Sequence, residues 1–187
     1  MSIAVDSAML SERPHLSDAV FNLLQNEWPI HDETRRRALE QKPYEARVLL
    51  LSTADATAVL GHAQLKWATP AVCLVVSVVV NRAYRRQRLG CELMTHVERR
   101  CVDKVQSEQG QSVTLYLWTS DQEAFFERAG YRTCAPYEGR HTAVARLDAT
   151  QQADLSSMLL RRRPATFAAD PDDSPNGVVW MRKDLAW

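Results

Sequence analysis

The sequence has no excess of charge of either sign and no long hydrophobic run. Lysine plus arginine equals aspartate plus glutamate, at 23 each, and this balance argues against a surface that coats nucleic acid or anionic lipid. The longest uncharged apolar stretch, from Ala68 to Val80, is shorter than the roughly 20 residues that a membrane-spanning helix needs. No basic region followed by an apolar run stands at the N-terminus. We therefore expect a cytosolic (cytoplasmic) protein with no membrane partner and no nucleic-acid partner.

Cysteine and glycine are both scarce, with four and six residues. The cysteines have neither Cys-x-x-Cys spacing nor histidines at zinc-site intervals, so we interpret them as reduced, mostly buried thiols and expect no bound metal. The chain also lacks Gly-Lys-Ser/Thr and the Gly-x-Gly-x-x-Gly pattern. These absences exclude a nucleotide P-loop and a Rossmann dinucleotide site.

The chain does contain enough apolar sequence, 45% of 187 residues, for one domain spanning 1–187. Apolar periodicity and turn residues divide it into helices and strands. The predicted elements are helices over 13–28 and 32–41, strands over 46–52, 58–67 and 72–80, a long helix over 89–105, a strand over 113–118, a short helix over 121–129, and strands over 131–134 and 178–185. Gly61 is expected to mark a bulge, and 148–176 a flexible insertion.

The order of these elements predicts the fold class. Strands and helices alternate after residue 72, which favours an α/β protein with a mixed sheet whose central strands run parallel across the long helix. Ligands of such sheets bind beyond the carboxyl ends of the strands. The turn between the strand at 72–80 and the long helix is therefore the first place to look for a site.

This turn reads Arg85-Arg86-Gln87-Arg88-Leu89-Gly90-Cys91. Backbone N–H groups at a helix N-terminus favour an anion, and cations there are unfavourable unless an anion joins them. Four arginines, at 82, 85, 86 and 88, are therefore placed to meet a phosphate, although a merely solvated basic turn is the competing interpretation.

Two segments resemble the GNAT acetyltransferase superfamily. The turn is similar to its acetyl-coenzyme A signature, Gln/Arg-x-x-Gly-x-Gly/Ala, matched by Arg85-x-x-Arg88-x-Gly90 with Arg88 in place of the first glycine. The segment from Asp121 to Tyr131 resembles the later helix of the family, which ends Phe/Leu-Tyr-x-x-x-Gly-Phe/Tyr. Shorter patches between Asn26 and Asp184 are similar to the cytosolic N-terminal acetyltransferases that modify processed actin.

The resemblance implies a fold and a cofactor site. The fold would be α/β (α+β by some schemes), with a mixed central sheet of about seven strands flanked by about four helices. Acetyl-CoA would be the co-substrate. Its acetyl and pantetheine groups would meet the backbone of Val78, Val79 and Val80, its pyrophosphate would lie on Arg86, Gln87, Arg88, Leu89, Gly90 and Cys91, and Gln122 would touch the pantetheine arm.

The catalytic acid and base are left open by the sequence. Many relatives use the tyrosine of Phe-Tyr to protonate the leaving sulfur, and this chain has Phe126 there. Ser77 and Tyr131 are the candidates for catalytic residues, with His62 and Tyr116 as further candidates for ordering a water. Because a thiol has a pKa of about 8.5, it can leave as a thiolate without an acid.

The predicted substrate is an acidic protein N-terminus, and actin is the expected partner. Basic residues are expected to line the peptide groove: Arg35 by its alignment with a family substrate residue, Gln41 and Lys42 as loop contacts, and His141 on the opposite wall. Arg36 and Arg37 are interpreted as solvated. Two alternatives remain, which are a GNAT enzyme for small amines and a non-enzymatic nucleic-acid-binding protein that uses the arginines of 85–88 and 161–163.

Overall fold

A seven-stranded sheet with four helices forms the fold, as predicted. The computed structural model describes residues 3–137 and 178–187, so His141 and the expected insertion at 148–176 lie outside the described residues. The strands are β1 (Val5–Met9), β2 (Glu45–Ser52), β3 (Val59–Thr69), β4 (Val72–Val80), β5 (Ser112–Thr119), β6 (Arg132–Thr133) and β7 (Val179–Ala186), and the helices are α1 (Ser17–Glu27), α2 (Asp32–Leu39), α3 (Leu89–Ser107) and α4 (Glu123–Arg128).

The strand order is β1-β2-β3-β4-β5-β7-β6. All neighbouring strands are antiparallel except β4 and β5, which run parallel and are connected through α3. The predicted parallel pair across the long helix is thus confirmed. The edge strand β1 is absent from the sequence prediction. Its residues, Val-Asp-Ser-Ala-Met, have little intrinsic strand preference, and it forms by pairing with β2.

The sheet buries apolar side chains on both faces. On one face, Leu93, Val97 and Cys101 of α3 pack on β3, β4 and β5. On the other face, α1 covers β2 and the first residues of β3 through Val20 and Leu24. This arrangement leaves the carboxyl end of β4 between the two helical layers, next to the turn that begins α3.

Gly61 allows the close approach of α3 to the sheet. A Cβ at this position would lie 3.3 Å from the side chain of Leu93 and 3.1 Å from the carbonyl oxygen of Val79. The register between β2 and β3 shifts beside it, between the Leu50–Gly61 and Leu51–Val59 pairs. The predicted irregularity at Gly61 is therefore confirmed.

Candidate cofactor and substrate site

Strands β4 and β5 separate at their carboxyl ends. They pair only through Val72 with Thr114, Cys73 with Leu115 and Leu74 with Tyr116. From residue 75 to 80, the edge of β4 that faces β5 has no strand partner among the described residues. Apart from the carbonyl oxygens of Ser77 and Val80, which contact the side chains of His62 and Arg85, the backbone groups along this edge can bind a ligand that enters between the two strands. Val78, Val79 and Val80 all lie in this segment.

A bulge interrupts β4 within this open edge. Between the pairs His62–Val79 and Gln64–Val76, β4 contains one residue more than β3. Ser77 lies there with a φ of 53°, which is a left-handed conformation that non-glycine residues rarely adopt. Its carbonyl oxygen lies 3.2 Å from Nδ1 of His62. The bulge therefore decides how Ser77 and Val78 are presented at the opening.

The turn before α3 has the backbone of an anion site. Arg86 and Arg88 have φ values of 65° and 63°, and Arg88 is the N-cap residue of α3. The amides of Cys91 and Glu92 donate to the carbonyl of Arg88, whereas the amides of residues 86–90 have no acceptor among the described residues. Arg88 thus adopts the conformation that a glycine would adopt at this signature position, and the unpaired amides fit a phosphate.

The second glycine of the signature is needed for packing. A Cβ on Gly90 would lie 3.1 Å from the ring of Phe125 in α4, so Gly90 lets the starts of α3 and α4 approach each other. Gln122 precedes α4, and its amide donates to the buried hydroxyl of Thr119 at 3.0 Å. Its side chain is exposed beside the end of β5. The two predicted cofactor segments therefore flank the opening between β4 and β5.

Two of the four arginines in this region already share an acidic partner. Glu27 at the end of α1 accepts from Arg82 at 3.0 Å and from Arg85 at 2.7 Å. Burial alone would raise the pKa of Glu27, but hydrogen bonds and positive charge from these arginines lower it overall. The expectation that all four arginines await an anion is corrected: of these four, Arg86 and Arg88 alone have no acidic partner among the described residues.

Arg85 also links this turn to the sheet. Its Nε donates to the carbonyl oxygen of Val80 at 3.0 Å. One guanidinium therefore connects the last residue of β4 with Glu27 of α1. Of the three arginines that a nucleic-acid interface at 85–88 would use, Arg85 therefore already has partners within the chain.

The helix α4 ends in a Schellman motif. The amide of Tyr131 donates to the carbonyl of Phe126 at 3.0 Å, the amide of Gly130 donates to that of Glu127 at 2.9 Å, and Gly130 has a φ of 88°. The rings of Phe126 and Tyr131 pack edge to face. The Phe-x-x-x-Gly-Tyr pattern thus forms the C-terminal cap of α4, and this cap orients α4 beside the opening.

Tyr131 is a core residue in this arrangement. Its side chain is 2% exposed, and its hydroxyl has no hydrogen-bond partner among the described residues. Burial and the nearby charge of Glu98 raise its pKa well above the ordinary value. The sequence proposed Tyr131 as a source of a proton, and this buried position does not favour that role. Ser77 lies at the opening, and the contact that the structure identifies for it is through its backbone carbonyl.

A cluster of buried positive charge lies on the face of the sheet that α2 covers. We define the basic cluster as Arg35, Arg47 and Lys66. Arg35 and Arg47 are 6% and 3% exposed. Arg47 and Lys66 share one carboxylate, that of Glu45, at 3.3 and 3.5 Å. Arg35 has no acidic partner among the described residues. Burial lowers the pKa of all three groups, although Glu45 opposes this shift for Arg47 and Lys66.

The structure gives Arg35 a different position from the expected one. Its guanidinium is buried, where it donates to the carbonyl oxygen of Trp28 at 2.5 Å and to the side chain of Gln25 at 3.2 Å. It therefore holds the loop between α1 and α2, and a direct contact with a substrate is not what its geometry favours. Arg36 and Arg37 are largely exposed, at 64% and 72% of their side chains, as predicted.

The other predicted substrate residues lie in the loop after α2. Gln41 is exposed and Lys42 is half-buried. The charge of Lys42 contributes to lowering the pKa of Lys66, so Lys42 lies at the rim of the basic cluster. His62 and Gln64 of β3 continue the polar surface towards β4, where they pair with Val79 and Val76.

The described residues contain neither a metal-binding cluster nor a helix that could span a membrane. Within residues 3–137 and 178–187, no group of three or more histidine, cysteine, aspartate or glutamate side chains is arranged to hold a metal ion. In the same residues, no helix has both the length and the apolar composition needed to cross a bilayer.

Comparison with known proteins identifies a family for this arrangement. Residues 17–131 match the sequence profile of the Acetyltransferase (GNAT) family. The mouse (Mus musculus) protein N-alpha-acetyltransferase 80 is 30% identical over 146 residues, which cover 74% of this chain and 45% of that protein. The chain thus spans a little under half the length of this relative.

Solved structures share the fold across nearly the whole chain. An aminoglycoside 6'-N-acetyltransferase complexed with coenzyme A matches with a TM-score of 0.61 at 14% identity, over 97% of each chain. The ribosomal-protein-S18-alanine N-acetyltransferase of Escherichia coli matches with a TM-score of 0.58 at 14% identity, over 98% of this chain and 96% of that one. At such low identity, these similarities concern the fold alone.

Proposed function

Because the chain belongs to the Acetyltransferase (GNAT) family, we propose that it transfers the acetyl group of acetyl-CoA to the α-amine of acidic protein N-termini, with processed actin as the first candidate. Acetyl transfer of the GNAT type follows from the family. The choice of acceptor is the proposal. It is supported by the basic cluster and by the similarity to N-alpha-acetyltransferase 80.

The residues at the opening fit acetyl-CoA. The amides of 86–90 and the guanidinium groups of Arg86 and Arg88 would hold the pyrophosphate, and the unpaired edge of β4 at 78–80 would meet the pantetheine arm and the acetyl group. When bound, the cofactor supplies a thioester, and the acceptor amine displaces its thiolate to form an amide. The contribution of the chain is to fix the direction of approach and to donate backbone hydrogen bonds.

The uncompensated charge of the basic cluster is the observation that carries the choice of substrate. Arg47 and Lys66 share the Glu45 carboxylate, Arg35 has no acidic partner among the described residues, and Lys42 adds a further positive charge at the rim. Gln64 on β3 lies opposite Val76, one strand spacing of about 5 Å from the open segment of β4, and Lys66 lies opposite Leu74, just before that segment. An acidic side chain near the acceptor amine would offset this charge, whereas a polycationic acceptor would add to it.

The ordinary pKa values of the two kinds of amine favour an α-amine over a lysine as the acceptor. An α-amine with a pKa of about 7.7 to 8.0 is roughly 10 to 20% neutral at pH 7, whereas a lysine with a pKa of about 10.4 is less than about 0.1% neutral. Nearby cations shift this balance further towards the neutral amine, which is the nucleophile. An α-amine therefore needs no strong base from the chain.

Mass spectrometry of acetylated products tests this proposal. The full chain is incubated with acetyl-CoA and one of three acceptors: a peptide that begins Asp-Asp-Asp, the same peptide beginning Ser-Ala-Ser, or spermidine. We expect kcat/KM for the acidic peptide to exceed the other two by about tenfold or more. A preference for spermidine or the neutral peptide would contradict the proposed acceptor.

A matched pair of variants tests the part played by charge. Lys42→Glu should raise KM for the acidic peptide by about tenfold and leave the coenzyme affinity unchanged, because Lys42 lies at the rim of the basic cluster. Arg37→Glu changes an exposed charge in α2 that already pairs with Glu33, so it is the control and should leave KM within about twofold. Equal effects of both variants would remove Lys42 from the groove.

A further inference from the structure

The contact between His62 and the β4 bulge is not explained by packing alone. His62 lies in the middle of the sheet, is 1% exposed, and stands opposite Leu49 on β2 and Val79 on β4. Its Nδ1 meets the carbonyl oxygen of Ser77 at 3.2 Å. Its Nε2 is buried without a partner among the described residues. An apolar side chain of similar size would avoid the energetic cost of this unpaired nitrogen. The presence of an imidazole therefore indicates a role for its hydrogen bond to Ser77.

The chemistry of the contact fixes which nitrogen carries the proton. A carbonyl oxygen only accepts hydrogen bonds, so Nδ1 must be the donor and Nε2 is the unprotonated nitrogen. Burial, followed by the charges of Arg47 and Arg35, lowers the pKa of His62 to about 3 despite the opposing contact with Ser77. The ring is therefore neutral at physiological pH, with its single N–H directed at the bulge.

We propose that His62 is a positioning residue for acetyl transfer, since its imidazole holds the Ser77 carbonyl and thereby maintains the left-handed turn that sets the backbone of Ser77 and Val78 at the open edge of β4. This inference rests on the proposed acetyl transfer. A left-handed serine is unfavourable and persists only where its surroundings hold it. The His62 contact is the side-chain bond that holds this carbonyl. Without it, the backbone of β4 would relax from the geometry in which the thioester is to be placed.

A pair of substitutions at position 62 tests the proposal. His62→Leu removes the donor and keeps an apolar side chain of similar volume, whereas the amide nitrogen of His62→Asn is placed like Nδ1 and can still donate to Ser77. We expect His62→Leu to lower kcat by about ten- to a hundredfold with KM for both substrates nearly unchanged, and His62→Asn to retain kcat within about threefold. Arg100→Leu is the matched control, because it also removes a side-chain donor to a strand carbonyl, that of Ser7 on β1 at 3.3 Å, and lies away from the bulge.

The measurement distinguishes this inference from the proposed function. Kinetics are followed with whichever of the three acceptors the wild-type enzyme prefers, so a different acceptor overturns only the proposed substrate. Hydrogen exchange of the peptide covering 74–80 gives a second readout that needs no acceptor: exchange should rise in His62→Leu and stay unchanged in His62→Asn and Arg100→Leu. Equal loss of kcat in the leucine and asparagine variants, or unchanged exchange in the leucine variant, would overturn the positioning role.

Discussion

Arg88 shows how a single residue can satisfy a site in which glycine is expected. Its φ of 63° is costly for a residue with a Cβ, by roughly 1–2 kcal/mol. The side chain that causes the cost also places a cation beside the amides of the turn. Affinity for an anion and backbone strain are therefore coupled at this position.

Replacing Arg88 separates the two effects. Arg88→Gly removes the cation and the strain, whereas Arg88→Ala removes the cation and keeps the strain. Urea unfolding should show the glycine variant more stable than the alanine variant by about 1 kcal/mol. Calorimetry should show both variants binding coenzyme A equally weakly relative to the wild type. Equal stability of the two variants would mean that the left-handed conformation carries no cost here.

His62 predicts a specific dependence of stability on pH. The unfolded histidine binds a proton near its ordinary pKa of 6.5, and the folded one does so only near 3. Falling pH therefore favours the unfolded chain throughout this window. From pH 7 to pH 5, this one group should remove about 2 kcal/mol of the free energy of unfolding.

The comparison that isolates this contribution uses His62→Asn. Carboxylates with lowered pKa values, such as Glu27, lose stability on acidification in both proteins, so they cancel in the difference. Urea titrations at pH 7, 6 and 5 should give a smaller loss for the variant. Parallel losses in the two proteins would show that His62 is protonated in the folded chain.

At the level of elements, Lys183 connects β7, α3 and α4. From β7 it donates to both oxygens of Glu98 on α3 at 2.8 Å, and to the carbonyl of Ala129 at the end of α4 at 2.7 Å. The side chains of Lys183 and Glu98 are only 22% and 19% exposed. This ion pair holds α4, and with it Phe125 and Gln122, beside the start of α3.

Removing one charge of the Lys183–Glu98 pair should lower the free energy of unfolding more than removing both charges. Lys183→Met leaves the Glu98 carboxylate half-buried without a partner and should lower the free energy of unfolding by about 2 kcal/mol. The double variant Glu98→Gln with Lys183→Met should recover about 1 kcal/mol of that loss. Arg37→Met, which breaks an exposed pair with Glu33, is the control and should cost less than about 0.5 kcal/mol. A double variant less stable than Lys183→Met would contradict this account.

Elements with strong periodicity were predictable from the sequence, and long-range polar contacts were not. The spacing of Leu93, Val97 and Cys101 identifies α3, and the β-branched run at 72–80 identifies β4. In contrast, Arg82 and Arg85 bind Glu27, which is more than fifty residues away in the sequence. No local sequence pattern predicts such a pair. The three consecutive arginines of α2 likewise do not reveal that Arg35 is the buried one, because burial depends on which side of α2 faces the sheet.

The candidate site was predicted in outline by its turn, but not in its details. Residues 85–91 and Gln122 flank the opening between β4 and β5, near the carboxyl ends of the strands. The basic cluster was missed because Arg47 and Lys66 alternate with apolar residues in strands and look like ordinary solvent-facing positions. Their burial depends on tertiary contacts, such as the hydrogen bond from Arg47 to the carbonyl oxygen of Ala38 in α2.

At the level of the whole molecule, net neutrality conceals a separation of charge. The sequence balances 23 basic against 23 acidic residues, yet positive charge concentrates at the turn before α3 and under α2. The first of these places suits the pyrophosphate of the cofactor, and the second suits an acidic acceptor. The turn follows the carboxyl end of β4, which borders the opening, and the basic cluster lies on α2 and on β2 and β3, of which β3 is the neighbour of β4, so both substrates would meet at the opening.

Hydrogen exchange of the full chain with and without saturating acetyl-CoA tests this location most directly. We predict slower exchange in peptides covering 76–91 and 119–126, and unchanged exchange in β1 and β2. Absence of any change, or protection confined to other parts of the chain, would contradict the placement of the thioester between β4 and β5.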